Sequence, residues 1–199
     1  MNDWFGAETL TGQHVTLLPL SHDHTLDLQE AAADGELFRL WYTNIPAPVK
    51  VEAEIKRRLQ LYATGSMVAY SIFDNKSQRV VGMTTYMNID VTNKRVEIGS
   101  TWYRKSVQRG PLNTECKLIM LRHAFNELKA NAVEFRTHYL NHQSRRAIER
   151  VGAKLDGILR NHVIMPNGTI RDTAVYSIVP SEWPSVQANL QWQMDKPRD

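Results

Sequence analysis

Only one cysteine, Cys116, stands among the 199 residues. A single thiol cannot build an internal disulfide framework, and it cannot supply a cysteine-based metal site. Long apolar runs are missing too: nothing approaches the roughly 18 residues of a membrane span, so no membrane association is expected. The opening stretch MNDWFGAETLTG has neither a basic n-region nor an apolar h-region, so no secretory signal is expected and the cytoplasm is the expected compartment. Nor does one sign of charge dominate, since 24 Lys and Arg against 21 Asp and Glu leave a net +3. That falls short of the clustered basic face of a dedicated nucleic-acid binder, and it suits an anionic small ligand equally well. No internal repeat and no low-complexity segment is present.

What is present is ordinary globular composition, 42% hydrophobic and 23% charged, in a length that suits one domain. QHVTLLPL (13–20) reads as a strand and SHDHTLDLQEAAAD (21–34) as a helix opened by Ser21. Pro46 and Pro48 make 41–50 a loop. Val51, Ile55, Leu59 and Tyr62 recur at helical spacing and predict an amphipathic helix over 51–64, ended by Gly65. MVAYSIFD (67–74) and RVVGMTTYMNID (79–90) predict a hairpin around NKSQ, and NKRVEIGSTWY (93–103) a third antiparallel strand. A helix is predicted from about Leu112 to Lys129, a strand over 132–139, and a short helix over 141–153 with Asn141 as cap and Gly152 as stop. Two closing strands flank PNG, a hairpin turn. The order implies an α/β layered domain: a mixed, mostly antiparallel sheet of about seven strands with helices on both faces. Residues 1–180 form the expected domain, and 181–199 a polar tail with a short helix and frayed end.

The segment SVQRGPLNTECK (106–117) joins a strand to a helix. A helix start offers free N–H groups and a partial positive charge, which attract phosphate. Arg104, Lys105 and Arg109 add three cations within six residues. A solvated loop with an ordinary helix cap is the alternative. Pro111 removes one N–H from such a cradle, although proline suits the first turn of a helix, and Gly110 leaves the backbone open to close approach.

QRGPLN stands where the GNAT superfamily of N-acetyltransferases has its Q/R-x-x-G-x-G/A loop. VEIGSTWY resembles the strand before that loop, and NTECKLIMLRHAFNEL the helix after it. NHQSRRAIERVGAKLDGILR and RDTAVYSI are similar to the closing motifs of the RimJ/RimL branch. The resemblance covers roughly residues 10–180. It departs from the pattern at Pro111, where the family has glycine, and at Asn113, where it has a small residue.

The resemblance implies acetyl-coenzyme A as cosubstrate and a primary amine as acceptor: a protein N-terminal α-amine, a free amino acid, a polyamine or an amine-bearing antibiotic. A non-catalytic acyl-CoA-binding module is the rival class. Donor-binding residues carried over are Trp102, Tyr103, Arg104, Gln108, Arg109, Gly110, Leu112, Asn113, Thr114 and Asn141. Ser144 corresponds to the acid that protonates the leaving thiolate. Asp90 corresponds to the branch's base; Glu97 is its rival, because Val96 and Ile98 on either side face the core and turn Glu97 to the other side of the strand. Trp102 also reads as ordinary sheet packing, and Asn141 and Ser144 as helix capping. The resemblance further implies a homodimer, with Trp183 and Trp192 in the tail either at an interface or packed within the chain. No metal site is expected: HDH (22–24) has no third partner and reads as a solvated helix start. Cys116 and Tyr176 read as core, and EIKRR (54–58) as a solvated helix face or the rim of the acceptor entrance.

Overall fold

The computed structural model describes residues 6–196. Its strands are β1 (Leu10–Thr11), β2 (Val15–Pro19), β3 (Met67–Asp74), β4 (Arg79–Asp90), β5 (Arg95–Tyr103), β6 (Ala132–His138), β7 (Lys154–Ile164) and β8 (Ile170–Ile178). Its helices are α1 (Thr25–Ala33), α2 (Val51–Ala63), α3 (Leu112–Arg122), α4 (His142–Val151) and α5 (Trp183–Asp195). The strands form one sheet in the order β1-β2-β3-β4-β5-β6-β8-β7. Every neighbouring pair is antiparallel except β5 and β6. The sheet has eight strands rather than seven. The extra one is the two-residue β1, whose Leu10 pairs with Leu17; two residues are too few to show a period in sequence.

Local chemistry accounts for most boundaries. The NKSQ turn is held by Asp74, which accepts from the N–H groups of Lys76 and Ser77 and from the Ser77 hydroxyl. β4 is buried without a break from Val80 to Tyr86, as befits a central strand covered on both faces. Gly152 stops α4 in the left-handed region at φ 109°, where only glycine is unstrained. The helix expected to run to Lys129 keeps α-helical bonding only to Arg122, and His123–Glu127 is a π-turn. The apolar spacing there fits either geometry, and Phe125 remains buried and stacked on Trp183 at 5.4 Å.

Two apolar layers result. One lies between the sheet and α3, α4 and α5, and includes Tyr103, Leu112, Met120, Val151, Tyr176, Trp183, Val186 and Leu190. The other lies under α1 and α2, and includes Leu28, Val51, Ile55, Met83 and Trp102. Trp183 therefore packs within the chain and donates from Nε1 to Asn126 at 2.8 Å, whereas Trp192 is 61% exposed. Residues 197–199 of the expected frayed end lie outside the described residues. Among the described residues no helix is long and apolar enough to cross a membrane.

Candidate active site

The site begins where β5 and β6 part. Their parallel ladder joins Arg95, Val96 and Glu97 to Ala132, Val133 and Glu134 and then stops. β5 continues along β4 to Tyr103, while β6 continues along β8 to His138. The edge of β5 beyond Glu97 is thus left without a ladder on its β6 side, and a wedge opens between the strands. Buried backbone groups need partners, so a ligand running along this edge finds donors and acceptors waiting.

β5 also bulges at the wedge. Trp102 pairs with Met83 and Gly99 with Thr85, which leaves Ser100 and Thr101 opposite Thr84 alone. Ser100 takes φ 47°. Two buried cations grip this bulge from opposite faces of the sheet. Arg58 of α2 reaches the Ser100 carbonyl at 3.3 Å and pairs with Glu54 at 2.7 Å, and its second terminal nitrogen, Nη1, has no partner. Lys117 of α3 donates to Thr101 Oγ1 at 2.8 Å, and that oxygen also lies 2.8 Å from Thr84 Oγ1. Lys117 has no carboxylate partner among the described residues, and burial pushes its pKa down.

The two candidate carboxylates stand in opposite environments. Asp90 lies at the β4–β5 turn and accepts from the side chain and backbone N–H of Asn93. Those hydrogen bonds lower its pKa. Glu97 is 5% exposed. Its Oε1 lies beside the bulge: a Cβ placed on Gly99 would stand 2.9 Å away. Asn88 donates to its Oε2 at 2.7 Å, and Arg136 lies 3.5 Å away. Burial raises the Glu97 pKa, and Asn88 and Arg136 offset only part of that rise. Arg136 is shared with Glu134 at 2.8 Å; Arg171 also favours the ionised Glu97, yet burial outweighs both arginines. A buried carboxyl with a raised pKa at a cleft is the environment of a general base.

At the mouth of the wedge, Arg109 takes φ 65° and Pro111 sits just before α3 with φ −70°. The first α3 ladder bond runs from Glu115 N–H to the Pro111 carbonyl. The N–H groups of Arg109, Leu112, Asn113 and Thr114 have no acceptor among the described residues, whereas that of Gly110 faces the Val107 carbonyl across the turn at Gln108–Arg109. The proline thus removes one donor, the turn engages that of Gly110, and four remain. Gln108 does not face outward: its side chain donates to the Tyr103 carbonyl at 3.2 Å and ties the loop to the strand. Arg104 pairs with Asp34 at 3.1 Å, and Asp34 also accepts from the N–H and hydroxyl of Ser106. Arg104 therefore anchors the loop to the end of α1. Tyr103 and Trp102 are both buried, in opposite layers, and Trp102 Nε1 has no partner.

At the far end of β6, Asn141 is buried and caps α4, accepting from the Ser144 N–H at 3.0 Å. The cap leaves the Ser144 hydroxyl without a partner among the described residues. Tyr176 is core, its hydroxyl fixed between Arg145 and Glu149 at 2.9 Å each. Cys116 is fully buried and burial raises its pKa, so it is not a nucleophile. His22 and His24 belong to a capping turn, with His24 against Ser71, and no group of three metal-ligating side chains occurs among the described residues.

Two site residues escape the sequence reading. Arg58 does not lie on a solvated face: it completes the buried stripe Val51, Ile55, Arg58, at steps of four and three. That spacing was the available signal. Lys117 has no such signal, because a lysine in mid-helix reads as solvated. Glu115, also buried, accepts from the N–H groups of Gln13, His14 and Val15 and locks α3 to β2.

Residues 14–154 match the family model described as an acetyltransferase (GNAT) domain. The chain belongs to that family. Over 103 residues it is 32% identical to the protein named "Putative ribosomal N-acetyltransferase YdaF" of Bacillus subtilis (strain 168), a stretch that is 51% of this chain and 55% of that relative. The chain thus spans about half the length of the curated relative it matches. Among solved structures it resembles a GCN5-related N-acetyltransferase from Brucella melitensis, at 28% identity and a TM-score of 0.86 over 95% of this chain and 86% of that one. It also resembles a "putative acetyltransferase" from T. thermophilus, at 32% identity and a TM-score of 0.82 over 96% and 99%. GNAT acetyltransferases use acetyl-coenzyme A, and the residues present fit its phosphates: four free N–H groups at and just before a helix start, with the Arg109 side chain beside them.

Proposed function

We propose that this GNAT protein transfers an acetyl group from acetyl-coenzyme A to a primary amine, with the α-amine of a protein N-terminus as acceptor. The observation that carries the reading is Glu97, buried beside the β5 bulge with its pKa raised, at the point where the β5–β6 wedge opens. In this reading the amine nitrogen bonds to the thioester carbon, and the C–S bond breaks. The amine's proton passes to Glu97, directly or through one water. The unladdered edge of β5 supplies N–H donors to the developing oxyanion. The sulfur leaves as thiolate and is protonated through the Ser144 hydroxyl, which relays a proton from water and so ends as the neutral alcohol. Glu97 returns its proton to solvent. Asn141 orients Ser144 through the helix cap and lines the path of the donor's arm. Asp90 is left to hold its turn.

The acceptor assignment is supported by the B. subtilis relative, whose name makes it a ribosomal N-acetyltransferase. The test is thiol release from acetyl-coenzyme A with peptides carrying a free or a blocked N-terminus, beside free amino acids, polyamines and an aminoglycoside. Turnover on free N-termini that vanishes on blocking supports the assignment. Turnover confined to a small amine overturns it.

A further inference from the structure

The strand register gathers charge on one face of the sheet. Glu97 stands opposite Glu134, and His138 opposite Thr173. Side chains alternate between faces along a strand, so Glu97, Glu134, Arg136, His138 and Arg171 share a face. Val96, Val133 and Phe135 turn to the other one, into the layer under α3, α4 and α5. On the charged face Glu134 is taken by Arg95 and Arg136, and Glu97 has Asn88 and a share of Arg136. Arg171 is left over.

Arg171 lies near the start of β8 and is partly buried. Its side chain donates from Nε to Thr173 Oγ1 at 2.9 Å. Both terminal nitrogens of the guanidinium lack a partner, and no carboxylate pairs with it, among the described residues. Asp172 turns to the opposite face and pairs with Arg160 at 2.7 Å. Asp156 accepts from Ser177, about 20 Å further along β8 at the rise of a strand. Burial, chiefly, pushes the Arg171 pKa down, and Glu97 acts on its charge in the other direction. A fork held at Nε with both ends free is shaped for the two oxygens of one carboxylate. His138 beside it adds a donor and no charge. Its Nδ1 accepts from the Leu140 N–H at 3.1 Å, which leaves the ring proton on Nε2, and burial and then Arg171 push its pKa down. Trp41, from the loop between α1 and α2, sets its ring edge-on against His138 with centres 5.1 Å apart.

We infer that Arg171 selects acceptors with a carboxylate close to the amine: an acidic side chain at the second or third residue of an N-terminal peptide. The inference rests on the N-terminal acceptor reading above. α1 and α2 cover the β3 and β4 part of this face, so a peptide with its α-amine at Glu97 leads away over β6 and β8. Arg171 acts on the charge of Glu97 without forming an ion pair with it. Its carboxylate partner therefore sits a residue or two beyond the amine, each residue advancing by about 3.3–3.6 Å.

Three peptide series that differ only in carrying Asp, Asn or Lys at residues two and three test this. Each is measured by initial rates of thiol release and by calorimetric binding to the full chain loaded with coenzyme A. Wild type prefers Asp to Asn about tenfold in kcat/KM and in affinity, with Lys last, and the preference shrinks with added salt. Arg171→Gln brings the Asp-to-Asn ratio close to one, and Arg171→Lys keeps part of it. The ratio is the readout because losing Arg171 also withdraws a charge that favours ionised Glu97, which slows every peptide alike. Where Arg171→Gln turns over too slowly to rate, the binding ratio decides, with a thermal melt to show that the variant is folded. Equal values for the three series in wild type, which needs no variant, or a ratio that survives Arg171→Gln, overturns the inference and leaves N-terminal acetylation standing. Turnover of no N-terminal peptide overturns both. Preference for a free amino acid over every peptide also overturns both, and makes the acceptor's own α-carboxylate the anion.

Discussion

Replacing Glu97 by glutamine removes the proposed base with little disturbance to its surroundings. The amide oxygen can still accept from Asn88, now at 2.7 Å from the carboxylate, and Arg136 keeps Glu134 at 2.8 Å. The melting temperature therefore changes little. Activity does not fare as well, because a positioned general base is worth about 10²–10⁴ in rate, or roughly 2.7–5.5 kcal/mol of barrier. The pH profile carries a second signature. Burial holds the Glu97 pKa above its usual range, so the ionised, proton-accepting form appears only as pH rises through that raised value. For wild type, kcat/KM climbs with pH along an acid limb displaced above the ordinary glutamate pKa of about 4.3, and in Glu97→Gln both the rate and the limb are lost. Stability follows the same linkage with its own sign. The folded state binds the Glu97 proton more tightly than the unfolded state does, so wild type loses stability as pH rises from the unfolded pKa through the folded one. The glutamine variant lacks that loss, and its stability relative to wild type improves across the same window. Initial rates of thiol release from about pH 5 to 9, with Asp90→Asn measured alongside, decide the matter. A Glu97→Gln enzyme with wild-type rate and limb, or an Asp90→Asn enzyme lacking both, refutes the assignment.

Three further outcomes follow from the same geometry. Ser144→Ala lowers kcat about tenfold or more and KM for the donor little, because the hydroxyl acts on the leaving thiolate and not on the bound ground state; steady-state kinetics showing an unchanged kcat would remove it from the mechanism. Pro111→Ala leaves coenzyme A affinity within about threefold, since four other N–H groups remain, and lowers stability by about 0.4–1 kcal/mol by freeing the unfolded chain; a tenfold gain in affinity on titration shows instead that the missing N–H matters. Lys117→Met is at least as stable as wild type near neutral pH, because it removes a buried amine with no carboxylate partner. The folded-state pKa of Lys117 is depressed, so the unfolded chain binds more protons between that value and about 10.4, and wild type closes the gap as pH rises through this window. Denaturant melts showing a pH-independent gap contradict this account of Lys117.

The parts of the fold that local chemistry controls could be read from sequence. The bounds of β3 and β4 agree with the pattern because Asp74 and its turn mark the hairpin plainly, and Gly152 marks the end of α4 by its positive φ. The two-residue β1 and the π-turn at His123 depend on tertiary pairing and packing, and neither leaves a periodic trace. In the site, the alternation of Val96, Glu97 and Ile98 placed Glu97 on the face away from its apolar neighbours. Distinguishing it from Asp90 required burial, which decides the direction of a carboxylate pKa and is not a property of sequence. Arg58 was readable from the α2 stripe, whereas Lys117 and the Glu97–Arg136–Arg171 face bring together residues from separate elements, and only the packed fold shows them.

The most direct test of an amine acetyltransferase is mass spectrometry of a free N-terminal peptide incubated with acetyl-coenzyme A and the protein, with released thiol measured in the same reaction. One acetyl group on the α-amine for each thiol released, lost together in Glu97→Gln, is the predicted result. Tight coenzyme A binding with neither thiol release nor acetylation of any amine would show a donor-binding module and contradict the proposed function.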